Sequence, residues 1–364
     1  MIKKVWLILV VCCLLCFDGV QASARASFVT VEDGALMEQG RELFVIKGMQ
    51  MWYAPLLATK GSFENKERLK AELDSLKALG VNCISVWPNV QMNSKSNGFT
   101  PSNDLSGKEL QGLDYVLNEL QLRGMRAIIN VNMDEKVKNL ILRKNVLNNL
   151  LYKDDPTILA WQLCQTSRKE TLNLSHIQQV GNAIKELDPN HLFTVNYIPI
   201  ANARSDGQTY ESLLSLDCVD WVTMSIKPFD LGWVNEGSLI DGLGFVCLHT
   251  GERMETYTRI ANKIEKPWVV EISYPRDGMF RLPQSKTEAR NAFFSYICTL
   301  QKYAMSDNPT PGIIFDGWGG DAQTTAESWQ INDAPTAEFS TAKKGVYSIY
   351  NSDTETKVII KSAF

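Results

Sequence analysis

The sequence predicts a single (β/α)8 TIM barrel with an N-terminal β-hairpin. Three observations carry that expectation: eight short runs apolar on both faces, helix-period segments between them, and no Pro-, Gly- or Ser-rich linker dividing the chain. Strands buried on both faces that alternate with helices imply a parallel sheet covered by helices. Eight of them within 364 residues favour closure over an open doubly wound sheet.

The elements follow in order. FVTVEDGALMEQGRELFVIKGM alternates around glycine-containing turns and reads as the hairpin leading into the first barrel strand, LFVIKGMQM. NKERLKAELDSLKALG carries Leu69, Leu73 and Leu76 on one helical face, ahead of the strand VNCISVWP. The same two-part unit recurs. LQGLDYVLNELQLRG precedes MRAIINVN, EKVKNLILRKNVLNNLLYK precedes ILAWQLC, and LSHIQQVGNAIKELD precedes HLFTVNY. TYESLLSLDC leads to DWVTMSIKP, TGERMETYTRIANKIE to KPWVVEIS, and KTEARNAFFSYICTLQKYAM to GIIFDGW. The polar, turn-rich region from Asn93 to Gly107 reads as a long loop after strand two, with a lid over the cleft as the functional alternative.

Lys3 and Lys4, the apolar run from Val5 to Phe17 and the small residues of VQASARAS form a secretory signal pattern. They divide the chain into a signal peptide over 1–24 and a barrel domain over 25–364, exported to the periplasm, the cell surface or the exterior. The run is too short to span a membrane, and Leu15 before Cys16 disfavours a lipid anchor. Three of the eight cysteines lie in the signal; Cys83, Cys164, Cys218, Cys247 and Cys298 lack CxxC spacing and read as small buried hydrophobes. Three histidines, none spaced as a ligand pair, give no metal site, and no cofactor is expected. A net charge of −4 provides no basic stripe for nucleic acid.

In this fold the active site gathers at the C-terminal ends of the strands. Those ends offer Trp52 and Tyr53, Ser85 and Trp87, Asn130 and Asn132, Gln165 and Thr166, Asn196 and Tyr197, Ser225 and Lys227, Glu271, then Asp316 and Trp318. Aromatic and amide groups suit a neutral polyhydroxylated ligand, because rings stack on sugar faces and amides bond hydroxyls without adding charge. The competing structural reading is rim packing.

Several segments, in colinear order, resemble glycoside hydrolase family 5 in its β-mannanase branch: FVTVEDGALMEQGRELFVIKGMQMWYAP, ERLKAELDSLKALGVN, LQGLDYVLNELQLRGMRAIINVN, YKDDPTILAWQL, IKELDPNHL, the GW of KPFDLGW, KPWVVE, SYPRDG and DGWGG. The resemblance implies a retaining glycosidase, with one carboxyl protonating the leaving oxygen and another, roughly 5 Å away, attacking the anomeric carbon. The family's acid/base motif, Trp-Gln-Ile-Gly-Asn-Glu-Pro-Arg, is WQLCQTSR here. Gln165 replaces the asparagine and Thr166 the acid/base glutamate. A threonine hydroxyl delivers no proton at neutral pH, and losing general-acid help costs about 10² to 10⁴ in rate.

Aligned on YPRDG, Glu271 falls at the family's nucleophile position; the structural alternative is a carboxylate held by a neighbouring cation. Ser85 stands where the resemblance implies arginine, Ser225 where it implies histidine, Lys227 at the companion aromatic and Asp316 at a tryptophan. Trp52, Tyr53, Trp233 and Trp318 match the pattern. The substrate-binding candidates are therefore Trp52, Tyr53, Trp87, Asn132, Gln165, Tyr197, Ser225, Lys227, Trp233 and Trp318. Lys227, one strand from Glu271, is expected to pair with it.

Three functions follow. The first is a monomeric, exported β-mannanase-like pseudoenzyme that binds β-linked polysaccharide or oligosaccharide, such as mannan, with weak or no hydrolysis. The second is an active retaining endo-β-glycosidase with a relocated acid, Asp316 or Glu170; for Glu170 the plainer reading is a solvated loop charge. The third is a structural surface subunit with a blocked cleft.

Overall fold

The computed structural model describes residues 27–38, 40–93, 98–102, 105, 107, 110–132, 136–164, 172–200, 202–277, 285–307, 312–322, 334–338 and 345–364. The segment expected as a signal peptide, with Cys16, lies outside the described residues. Eight parallel strands close a barrel: Lys47–Gln50, Cys83–Val86, Arg126–Val131, Ile158–Cys164, Leu192–Tyr197, Trp221–Ile226, Trp268–Ile272 and Gly312–Asp316. The eighth pairs with the first, setting Asp316 beside Gln50. These are the eight apolar runs of the sequence.

Alternate residues of each strand face opposite ways, and the two faces have separate partners. One set, including Ile84, Ile129, Trp161, Phe193, Met224, Val270 and Phe315, packs into the large core shared with the helices. The other, including Cys83, Ile128, Ala160, Leu192, Trp221, Val269 and Ile314, forms a smaller cluster with Val29, Leu36, Phe44 and Ile46. Two residues further along the strands, the second set turns polar: Ser85, Asn130, Gln162, Thr194, Thr223, Glu271 and Asp316 are all buried. The barrel interior is thus oily at its base and polar toward the strand ends.

The N-terminal hairpin closes that base. Val29–Glu32 pairs antiparallel with Ala35–Glu38, and Glu42–Leu43 adds a third short strand. Asp33 and Gly34 turn the chain at φ 48° and 78°, the double positive φ of a two-residue type I′ turn. Val29 and Leu36 supply its apolar contact with the barrel floor.

Two segments differ from the sequence expectation. The long helix expected over EKVKNLILRKNVLNNLLYK is a single short helix, Val137–Ile141, followed by turns and a 3-10 turn at Tyr152–Asp154. Asparagines break it: Asn145 Oδ1 accepts from Leu147 N at 2.9 Å, Asn148 Oδ1 from Leu150 N at 3.0 Å, and Asn149 has φ 63°. Such local side-chain bonds compete with helix. The region expected as a loop near Asn93 to Gly107 begins as an antiparallel ribbon, Val90–Asn93 against Gly98–Pro101.

The broken segment is held by Asp114 on the helix Gln111–Arg123. Its Oδ1 accepts from Arg143 Nε at 3.0 Å and from Tyr152 Oη at 2.7 Å, and Asn145 Nδ2 bonds its carbonyl at 3.2 Å. Asp114→Ala leaves a guanidinium that is 11% exposed without its carboxylate. Chemical denaturation is expected to show a loss of about 3 to 5 kcal/mol, and a loss of the same order for Arg143→Ala, which leaves the fully buried Asp114 carboxylate without its cation.

Candidate active site

Three ionised side chains meet at the ends of strands six, seven and eight. Strands six and seven pair Ser225 with Glu271, and the next inward-facing position along strand six is Lys227. Ser225 Oγ donates to Glu271 Oε1 at 2.9 Å. Lys227 Nζ lies 3.5 Å from the same oxygen and also pairs with Asp316 Oδ2. The expected pair of Lys227 and Glu271 is therefore formed, and Asp316 makes it a cluster of three. Glu271 is 4% exposed and Asp316 5%.

Burial sets the electrostatics. It pushes the Glu271 carboxyl above the usual range; the Lys227 ammonium opposes the rise and Asp316 adds to it. Burial alone would lower Lys227, but the carboxylates of Asp316, Glu271 and Asp230 override it and raise the ammonium above the ordinary lysine value. Asp230 also accepts from Tyr347 Oη at 2.5 Å. Sequence reasoning missed Asp230 and Tyr347, because each reaches the site from a connection after its strand.

Under the charges runs a neutral hydrogen-bond chain. Trp221 Nε1 donates to Thr223 Oγ1 at 2.9 Å and Thr223 to Gln162 Oε1 at 2.8 Å. Gln162 Nε2 donates to Asn130 Oδ1 at 2.8 Å, and Asn130 Nδ2 to Ser85 Oγ at 3.0 Å. Cys164 Sγ reaches the same Asn130 oxygen at 3.2 Å. Burial raises the Cys164 thiol and Glu271 adds to the rise, so it stays a neutral thiol. Period-two parity from Ser85, Asn130 and Glu271 is the signal that finds Gln162, Cys164 and Thr223.

The remaining candidates divide. Trp87, Asn130 and Asn132 line a pocket with Pro88, Ser102, Leu105, Val131 and Val137. Trp233 is half-buried, with the Arg253 guanidinium carbon 4.7 Å from its ring centroid. Trp52, Tyr53, Tyr197 and Trp318 are buried. Trp52 Nε1 donates to the carbonyls of Thr336 and Ala337, both at 2.9 Å. Tyr53 Oη donates to Glu72 at 2.8 Å, and Tyr197 Oη to Asp206 at 2.8 Å. Tyr197 has the parity of Phe193 and Val195, which belong to the helix-facing core. Gln165, Thr166 and Glu170 lie outside the described residues. Among the described residues no group of three or more His, Cys, Asp or Glu side chains could hold a metal ion.

The arrangement presents a buried carboxylate whose Oε1 is already engaged by a hydroxyl and an ammonium. Lys227→Met removes the only cation of the three-residue cluster and leaves two buried carboxylates facing each other. For Lys227 the sign is that of a raised group: its stabilisation is complete below the ordinary lysine value, about 10.4, and is lost only as pH rises through the higher folded value. Glu271, also raised, favours the folded state in its protonated form. Denaturation of the variant is therefore expected to show a loss of about 3 kcal/mol near pH 8 that shrinks as pH falls and Glu271 takes up its proton.

The chain matches the family described as glycoside hydrolase family 5 β-mannosidase-like over residues 26–134 and 130–364. Mannan endo-1,4-β-mannosidase 1 of Arabidopsis thaliana is 23% identical over 211 residues, 48% of this chain and 51% of that protein. Mannan endo-1,4-β-mannosidase 1 of Oryza sativa subsp. japonica is 38% identical over 195 residues, 42% of this chain and 45% of that protein. The chain spans about half the length of the curated relatives it matches. In fold it is similar to the glycoside hydrolase family 5 mannosidase from Rhizomucor miehei, with TM-score 0.80 and 17% identity over 93% of this chain and 97% of that one. The endo-β-1,4-mannanase from Thermotoga petrophila gives TM-score 0.61 and 19% identity over 89% and 77%. With the family match running along nearly the whole chain, the protein belongs to glycoside hydrolase family 5, in its β-mannosidase-like group.

Proposed function

We propose that this chain is an exported barrel that binds a β-linked polysaccharide of the mannan type and hydrolyses it weakly or not at all. One observation carries the reading: Lys227 stands between Glu271 and Asp316, with Ser225 on the same Glu271 oxygen. A nucleophilic carboxylate has to bring a free oxygen to about 3 to 3.5 Å from the anomeric carbon. An ammonium 3.5 Å from Oε1 and a hydroxyl bonded to the same atom stabilise the carboxylate's charge and make it a weaker nucleophile. Thr166, at the acid/base position by the family resemblance, has a hydroxyl too weakly acidic to protonate a leaving oxygen. The names of the relatives support mannan as the glycan class, and export rests on the N-terminal charged, apolar and small-residue pattern.

Binding asks less of the site than turnover does. Catalysis requires groups that hold the transition state more tightly than the substrate, whereas ground-state binding needs rings and amides at the rim. Asn132 and the half-buried Trp233 are the candidates for these, with Trp87, 6% exposed, lining the adjoining pocket. The second reading, a working retaining glycosidase with Asp316 as the acid, is favoured by one fact: Glu271 and Asp316 converge on the same ammonium.

The deciding assay is reducing-end release from β-mannans and other β-glycans by the mature protein and its Glu271→Gln variant, beside calorimetric binding of the same glycans. Binding without release above the variant's level is the expected result. Release by the native protein that Glu271→Gln abolishes would establish the second reading, and neither binding nor release would leave a structural role.

A further inference from the structure

We infer that the first turns of the helix Leu243–Ile264 carry an accessory saccharide-binding platform, centred on Phe245, for the part of a polysaccharide that extends beyond the charged site; the inference rests on the glycan-binding reading above. Phe245 is 52% exposed and Leu248, one helical turn on, 58%, so the two form an apolar pair on one helix face. The Phe245 ring is not loose. It meets the His249 ring at 4.1 Å between centroids and 67°, and His249 in turn lies 5.9 Å from Trp233. His249 Nδ1 sits 3.4 Å from Glu252 Oε2, and Arg253 lies against Trp233. Three rings thus form one fixed, contiguous surface.

That surface is continuous with the charged site. Leu231 N donates to Lys227 O at 2.9 Å and Trp233 N to Pro228 O at 2.9 Å, so a compact turn joins Lys227 to Trp233. Tyr274 Oη, just after strand seven, donates to Leu239 O at 2.7 Å and fixes the approach to the helix. The platform is therefore anchored to the two strands that carry Lys227 and Glu271. In a barrel of alternating strands and helices, the helix after strand six starts at the end where the strands finish.

Charge narrows the occupant. Glu252, beside His249, and the exposed Glu236 and Asp241 just ahead of the helix in the chain are acidic, which opposes nucleic acid and anionic lipid. A neutral sugar chain has no such conflict, and its apolar ring faces stack on aromatic rings.

The test compares β-1,4-mannohexaose with β-1,4-mannobiose by calorimetry on the native protein, Phe245→Ala and Phe245→Trp. Phe245→Ala is expected to weaken the hexaose roughly fivefold and to leave the biose unchanged, while Phe245→Trp retains hexaose affinity. Native binding of the hexaose that Phe245→Ala does not weaken overturns the inference alone. No binding of either sugar by the native protein overturns the glycan reading and the inference together. A Phe245→Ala variant with unchanged sugar affinity and an altered sedimentation coefficient would assign the patch to contact between copies of the chain, which also overturns it.

Discussion

Closure of the barrel between strands eight and one fixes the register from which every site residue takes its direction. The seam is tight. A Cβ on Gly48 would lie 2.6 Å from Ile314 Cγ1, and one on Gly312 would lie 2.8 Å from Ile46 Cβ. Two glycines, one on each closing strand, let the backbones and the branched side chains opposite them fit together. With that register set, Ile314 faces the barrel floor and Asp316, two residues on, faces the site. A one-residue slip would turn Asp316 toward the helices and Phe315 inward.

The same geometry gives the ion cluster its consequences. Buried charges are tolerated when paired and hydrogen-bonded, and removing one member costs more than the pair contributes. By the family resemblance, an arginine is expected at Ser85 and an aromatic at Lys227. Here strand two ends in a hydroxyl and strand six provides the cation. The cation beside Glu271 is Lys227, from the neighbouring strand. Ser85, relieved of a guanidinium, instead ends the neutral chain through Asn130 and Gln162. The hydroxyl at the end of strand two, the cation of strand six and the carboxylate of strand eight thus belong to one arrangement in which each polar group has a partner.

Legibility in the sequence followed the range of the interactions. The eight strands were readable because apolar runs of that length between helical segments have few other solutions, and the Lys227 to Glu271 contact was readable from strand adjacency. The helix over 135–153 was not, since its asparagines bond locally against the apolar spacing of its leucines. The placement of the rings was harder still. Trp52 is covered by carbonyls of Thr336 and Ala337, whose own segment is bonded to Glu338 by Tyr347 N at 2.6 Å and Gly345 N at 2.9 Å. Partners so far along the chain leave no local trace. For Tyr197 the strand period is the deciding signal: it places Asn196 inward and Tyr197 against the helices, where its hydroxyl bonds Asp206.

The division between centre and rim has a physical basis. At the centre, groups act through charge and proton position, so one ammonium at 3.5 Å changes what Glu271 can do. At the rim, rings act through area and shape, and a half-exposed phenyl fixed by His249 keeps its face whatever the state of the carboxylates. Helix Leu243–Ile264 is packed by Val246, Met254, Tyr257 and Ile260 on its buried side, which leaves Phe245 positioned by the core without being part of it. Changes confined to the inward face of strands six to eight therefore alter proton chemistry while leaving the outer rings in place. The charges lie on the inward face of strands six to eight while the rings of Trp233, His249 and Phe245 lie on the connection and helix that follow strand six, so the two layers are built from separate parts of the chain.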